Sequence, residues 1–288
     1  IWAVSTYILE ERKIFDMKNL RSLLLALCIV LSLSACGGGT DPGDVSEHDG
    51  SSSPVELVVF AAASMTETLD EIIALYKDVA PHVTILPSYE SSGTLLEQIQ
   101  QGADCDLFIS AGQTQMDTLD KNNLLLDGSR LDLLENQITL VVPEGNPKGV
   151  KSFDQLAELL KNGDVFLAMG NRDVPVGQYT QKIFAYYGLE EAALAEAGVL
   201  TYGSNVKEVT THVSEGAVDC GIIYATDAFS AGLTVVDEAT ADMCGQVTYP
   251  AAVLSASTHA EEAQAFLDYL TGDDADVVFR NVGFTPLV

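Results

Sequence analysis

From Val55 onward the chain alternates short apolar runs with amphipathic ones, and this alternation restricts the fold more than any other feature. Short apolar runs bounded by turn residues read as strands buried on both faces, and the amphipathic runs between them read as helices. Neighbouring parallel strands need such crossover helices, so the pattern predicts an α/β fold with mostly parallel sheets. Val55 to Ala61 is the first strand. Ser64-Met65-Thr66-Glu67 follows as a capping box, and Leu69, Ile72, Ile73 and Tyr76 mark the buried face of the helix it opens. Val83 to Leu86 is the next strand. Leu95, Leu96 and Ile99 mark a helix after Ser92, and Cys105 to Ala111 is a third strand.

The pattern then repeats. Gln137 to Pro143 reads as a strand leaving a first lobe. Helix Ser152 to Lys161, strand Val165 to Met169, a turn at Val176-Gly177 with its helix, a helix opened by Asn205 and Glu208, and strand Gly221 to Ala225 follow. Val247 to Leu254 crosses back, and helix Ala260 to Leu270 packs on the first lobe. The stretch Gly102 to Ile109 is echoed by Gly216 to Ile223 with an offset of one residue. The expected organisation is lobe I over 55–136, lobe II over 137–249 and a return to lobe I over 250–288. Two lobes joined by two crossings make a hinged clamp, with a ligand held at the C-terminal ends of the strands.

Residues 1–16 read as a non-native or misannotated upstream segment. From Met17 the chain has the form of a secretory signal over 17–35: Lys18 and Arg21, then the apolar run Leu23 to Leu33, too short to span a bilayer. Leu33-Ser34-Ala35-Cys36-Gly37 resembles the bacterial lipobox, which implies cleavage before Cys36 and a diacylglyceryl group on its sulfur. Ordinary cleavage after Ala35, with Cys36 a plain thiol, is the alternative. Residues 36–54, rich in Gly, Ser and Asp, read as a flexible tether that carries His48. The chain is therefore expected outside the cytoplasm, lipid-anchored to the cell membrane.

Fourteen basic against 42 acidic residues give a formal charge of −28. That excludes a generic nucleic-acid binder, which needs a basic face, and makes an anionic membrane surface a poor partner for the folded part. A small anion remains admissible, because local dipoles outweigh a distant net charge in salt water. Cys28 leaves with the signal, and Cys105, Cys220 and Cys244 remain in the folded part. A Cys220–Cys244 disulfide and three buried thiols are both open. No CxxC pair or His/Cys cluster points to zinc, and His82, His212 and His259 are scattered. There is no Gly-x-Ser-x-Gly elbow, and Gly145 to Ser152 falls short of a phosphate-binding loop because Lys151 does not follow Gly149 directly. An enzyme is not expected, nor a cofactor.

Four stretches share one form: Ala61-Ala62-Ala63-Ser64, Tyr89-Glu90-Ser91-Ser92-Gly93-Thr94, Val174-Pro175-Val176-Gly177 and Gly203-Ser204-Asn205-Val206. Each opens an amphipathic run and so exposes backbone N–H groups, often beside a hydroxyl, at the start of a helix. Such groups bind an oxyanion without a cation. These stretches, with Asp106-Leu107-Phe108-Ile109-Ser110-Ala111, Gly221 to Ala228 and Val282-Gly283-Phe284, are similar in order and spacing to the molybdate-binding proteins of bacterial ABC importers. The likeness runs from about Val55 to the C-terminus. It implies a two-lobed, type II-like periplasmic-binding fold in which molybdate or tungstate is held by hydrogen bonds alone; the alternatives are a binding protein for sulfate or another small oxyanion, and an enzyme or sensor with a repurposed cleft. Carried over by position, the ligand-binding groups are Ser64 and Ser92 with their hydroxyls and amides, the amides of Val176 and Val206, and the Tyr224 hydroxyl. No cation site is implied, and the partners implied are the oxyanion, an ABC permease and its ATPase, with the protein itself a monomer.

Two positions depart from the family pattern: Gly93 replaces a common Ser, which would loosen one wall, and Val176 replaces a frequent Ala. Selectivity would come from cavity size and from the absence of a carboxylate around the anion. Arg172, Lys182 and Lys207 near the motifs read as solvated charges or as groups that steer the anion, and Asp227 reads as a helix cap.

Overall fold

The computed structural model describes residues 53–288; the expected signal segment, Cys36 and nearly all of the tether lie outside them. Two sheets flanked by helices make two lobes, the two-lobed α/β architecture expected from the sequence. Lobe I is built on β1 (Val55–Ala62), β2 (Val83–Glu90), β3 (Leu107–Ile109), β4 (Leu131–Asn136), β10 (Val247–Val253) and β11 (Thr285–Pro286), in the order β11-β4-β10-β3-β1-β2. Lobe II is built on β5 (Ile138–Val142), β6 (Leu167–Gly170), β7 (Leu200–Gly203), β8 (Cys220–Tyr224) and β9 (Thr234–Glu238), in the order β7-β6-β8-β5-β9.

Each sheet has a parallel core of three strands, β2-β1-β3 in one and β7-β6-β8 in the other. Antiparallel pairing enters with the strands next to the two crossings, β5 and β10. A strand that arrives from the other lobe without a crossover helix runs against its neighbours. The first crossing falls at Gln137, between β4 and β5. The second precedes Val247. Residues 247–249, expected in lobe II, instead pair with Asn136 to Leu134 of β4, so Tyr249 belongs to the lobe I sheet. Pro250 marks an irregularity inside β10 rather than the start of the return, as suits a residue with no N–H to give to the ladder.

The repeat seen in the sequence has a structural counterpart. Asp106 Oδ2 accepts from Val58 N–H at 2.8 Å, and Asp106 N–H donates to Val58 O. In lobe II, Asp219 Oδ2 accepts from Phe166 N–H at 2.8 Å, and Asp219 N–H donates to Phe166 O. In both lobes an aspartate at the entry to the third parallel strand pins the first.

The helices that matter for the cleft are α1 (Thr66–Val79), entered through a 3₁₀ turn at Ala63–Met65, α2 (Ser92–Gln100), α3 (Gln113–Lys121), α4 (Phe153–Asn162), α5 (Pro175–Tyr186), α6 (Glu191–Glu196), α7 (Val206–Ser214) and α8 (Ala225–Ala231). After α9 (Ala241–Cys244) and β10, the chain closes with α10 (Ala260–Leu270) and α11 (Asp273–Val282). The first of these two packs on α1: the Tyr76 ring lies 4.8 Å from Phe266 and 4.9 Å from Tyr269. Gly283, at φ +100°, ends α11 in the left-handed region and turns Phe284 onto Tyr249, 5.2 Å between ring centres. Cys105, Cys220 and Cys244 are buried free thiols, so the disulfide alternative falls away. Burial pushes the Cys105 and Cys220 thiols up to about 12, which keeps them unreactive.

Candidate functional site

A small cavity lies between the lobes, and Ser64, Ser92, Val176, Val206 and Tyr224 all line it. Its free volume is about 10 Å³, far below the roughly 300–1,000 Å³ of pockets that hold drug-sized molecules. It suits a compact ion, not an organic solute. Lobe I contributes the turn before α1 and the start of α2; lobe II contributes the starts of α5 and α7 and the end of β8. Four helix beginnings therefore converge on one point, two from each lobe. Pro175 has no N–H, so Val176 is the first free amide of α5, and Val206 occupies the first position of α7, where no intrahelical acceptor exists.

The hydroxyls are arranged as donors. Ser92 Oγ accepts from Ala111 N–H at 2.9 Å, which leaves its proton for the cavity. The cap of α2 is made by its neighbour: Ser91 Oγ accepts from Thr94 N–H at 3.1 Å, so Ser92 is spared that task. The Tyr224 hydroxyl donates to Ala111 O at 3.5 Å, a contact weak enough to be exchanged for a better acceptor. Burial raises the Tyr224 phenol well above its ordinary range, so it stays a donor at any physiological pH.

Several expectations are revised. Ser64 does not cap α1: its Oγ lies 2.9 Å from Tyr249 Oη, and the Glu67 carboxylate is bound to Lys207. The 3₁₀ turn has already given the first amides another geometry, so the box has no helix start to close. Gly93 does not loosen a wall. A Cβ there would stand 2.1 Å from Asp173 O on the opposite lobe, so the missing side chain is what lets the lobes meet. A Cβ on Gly177 would stand 2.2 Å from Asn171 O within lobe II, so the Val174–Gly177 turn also has no room for a side chain there. Glu90 is also among the lining residues, and its Oε2 accepts from Asn205 Nδ2 at 3.5 Å. Lys207 is not a solvated charge, because it pairs with Glu67 at 2.7 Å and Asp227 at 3.3 Å. Asp227 lies inside α8 rather than at its cap, fully buried; burial lifts its carboxyl to about 6, with the Lys207 ammonium acting against the rise. Lys182 sits over the Tyr179 ring, 4.8 Å from its centre.

No Lys, Arg or His lines the cavity. Among the described residues no group of three His, Cys, Asp or Glu side chains is placed to hold a metal ion. The site offers neutral donors from both lobes, which is the chemistry of an oxyanion trap. Tyr249 and Asn136, which stand behind Ser64, escaped the sequence reading: neither lies at a helix start, and only the crossings bring them there.

Residues 57–285 match the family model described as bacterial extracellular solute-binding protein. The chain belongs to that family. This solute-binding protein is 32% identical over 235 residues to the molybdate-binding protein ModA of Escherichia coli (strain K12), covering 80% of this chain and 89% of that one. It is 34% identical over 270 residues, 93% of this chain and 98% of the other, to a Bacillus subtilis (strain 168) protein provisionally named ABC transporter substrate-binding lipoprotein YvgL. Among solved structures it resembles a substrate binding domain, assigned to a molybdenum ABC transporter, from Clostridium difficile. That match has a TM-score of 0.61 and 32% identity, over 81% of this chain and all of the other.

Proposed function

We propose that this solute-binding protein captures molybdate or tungstate outside the cytoplasm and delivers it to an ABC importer. The observation that carries the reading is the convergence of two helix starts from each lobe, with two serine hydroxyls and a tyrosine hydroxyl, on a cavity too small for an organic solute. Similarity to molybdate-binding proteins supports the choice of anion. Ser64 and Ser92 supply hydroxyl donors, Val176 and Val206 supply amides, and Tyr224 closes the shell from lobe II.

Each hydrogen bond to a charged acceptor contributes about 1.5–3 kcal/mol. Five to seven of them, less the cost of closing and ordering the lobes, give an affinity between roughly micromolar and nanomolar. The anion joins donors from both lobes only when they are closed, so binding shifts the clamp toward that state, and the permease recognises it. No bond is made or broken. Arrival outside the membrane uses the signal over 17–35, with Cys36 as the lipidated residue that keeps the protein, a monomer, beside its permease and ATPase.

Calorimetric titration of the purified protein with molybdate, tungstate, sulfate and phosphate tests the reading. Tight one-to-one binding of the two metal oxyanions, with sulfate and phosphate weak, is expected. Silence with molybdate and tungstate would overturn it.

A further inference from the structure

The proposed site leaves one question open: a serine hydroxyl both donates and accepts, so what makes Ser64 a donor toward the anion? We propose that Tyr249 and Asn136 are positioning residues that fix the Ser64 proton toward the cleft. This rests on the oxyanion reading of the cavity. Asn136 Oδ1 accepts from Gln137 N–H at 2.8 Å, which settles the amide's orientation and leaves both protons of Nδ2 to be placed. One goes to Thr226 Oγ1 at 2.9 Å and the other to Tyr249 Oη at 3.2 Å. With a donor already on its oxygen, the fully buried Tyr249 hydroxyl has its own proton to give. Ser64 Oγ, 2.9 Å away, is well placed to accept it. Ser64 then accepts from behind and has its proton free for the cavity that it lines.

The chain is one-directional: Asn136 donates to Tyr249, Tyr249 to Ser64, and Ser64 to the anion. Donors strung in this way polarise one another, and each link is stronger for the one behind it. Burial holds the Tyr249 phenol well above its ordinary range, so it does not lose the proton that the relay needs. The relay also starts at the hinge. Asn136 is the last residue of β4 before the crossing, and Thr226 lies on α8 of lobe II, so the amide that orients Tyr249 is anchored in both lobes.

The test is a double-mutant cycle read by molybdate calorimetry, with the melting temperature of each free protein as a control. Tyr249→Phe removes one oxygen and keeps the ring between Tyr224 and Phe284, whose centres lie 5.6 and 5.2 Å away. In the otherwise unaltered protein it should weaken molybdate binding roughly three- to tenfold. In a Ser64→Ala background the same change should cost less than about twofold, because the hydroxyl acts only through Ser64. A merely structural role would lower affinity equally in both backgrounds, and that result overturns the proposal, as does full affinity in Tyr249→Phe alone. If Tyr249→Phe does not fold, Asn136→Ala poses the same question one link back, with the same dependence on Ser64 expected. Failure of the unaltered protein to bind molybdate would instead overturn the reading of the site.

Discussion

Lys207 Nζ on α7 of lobe II lies 2.7 Å from Glu67 Oε2 on α1 of lobe I, and the same ammonium lies 3.3 Å from Asp227 Oδ1. One cation thus ties the lobes together beside Val206. Burial alone would raise the Glu67 carboxyl, but the bond to Lys207 outweighs it and holds the group below its usual value. The pair spans the two lobes, so separating them would break it, and neither member lines the cavity.

Because both members remain partly exposed, the pair is worth roughly 0.5–1 kcal/mol. Lys207→Met or Glu67→Gln should therefore weaken molybdate binding about two- to fivefold, with non-additive losses in the double variant. The difference from the unaltered protein should shrink as salt is raised. Calorimetry at two ionic strengths checks this; equal affinities at low salt would remove the latch from the mechanism.

Gly93 makes a sharper prediction. Its absent Cβ would sit 2.1 Å from a backbone oxygen, which cannot swing away as a side chain can. Gly93→Ala should cost at least about tenfold in molybdate affinity. The free protein should keep its melting temperature or gain slightly, since alanine favours the helix and the open cleft has room. Affinity within about twofold of the original would mean that the lobes close by another path.

Asp227 carries a pH signature. Its carboxyl titrates near 6 when folded, against a reference value of 3.8, so the folded state holds the proton more tightly than the unfolded one. The ionised form is a burden that is fully present above the folded value and gone below the unfolded one. Asp227→Asn should thus raise the melting temperature at pH 7.5. The gain should fade between about pH 6 and pH 4. Thermal melts across that range decide the point; a gain independent of pH would show that the carboxylate is not the cause.

Ser92→Ala should weaken oxyanion binding by at least about tenfold, because it removes a donor whose oxygen is already satisfied by Ala111 N–H. Unchanged affinity would strike Ser92 from the binding set.

Cys36→Ser should release the protein from membranes in cell fractionation while leaving molybdate affinity as it was. Continued membrane association would reject lipid attachment at Cys36.

What the sequence determined by itself was local. Apolar runs such as Val55 to Ala61 and Ile138 to Val142 could be read as buried strands. The stretches at Ser64, Ser92, Val176 and Val206 marked helix starts with free amides, Tyr224 came in only through the family resemblance, and the cavity gathers all five. Other elements were missed. Strand β9 is largely exposed and β7 half-buried, so neither has an apolar run, and α3 is too polar to announce its buried face. Only the tertiary structure decided where the long-range partners fall. Tyr249 behind Ser64, Lys207 between Glu67 and Asp227, and Gly93 against Asp173 join positions 185, 140, 20 and 80 residues apart. The reading of Ser64 as a helix cap failed for the same reason. A serine satisfies whichever partner comes nearest, and its nearest partner lies on a strand that the chain reaches only after passing through the whole second lobe.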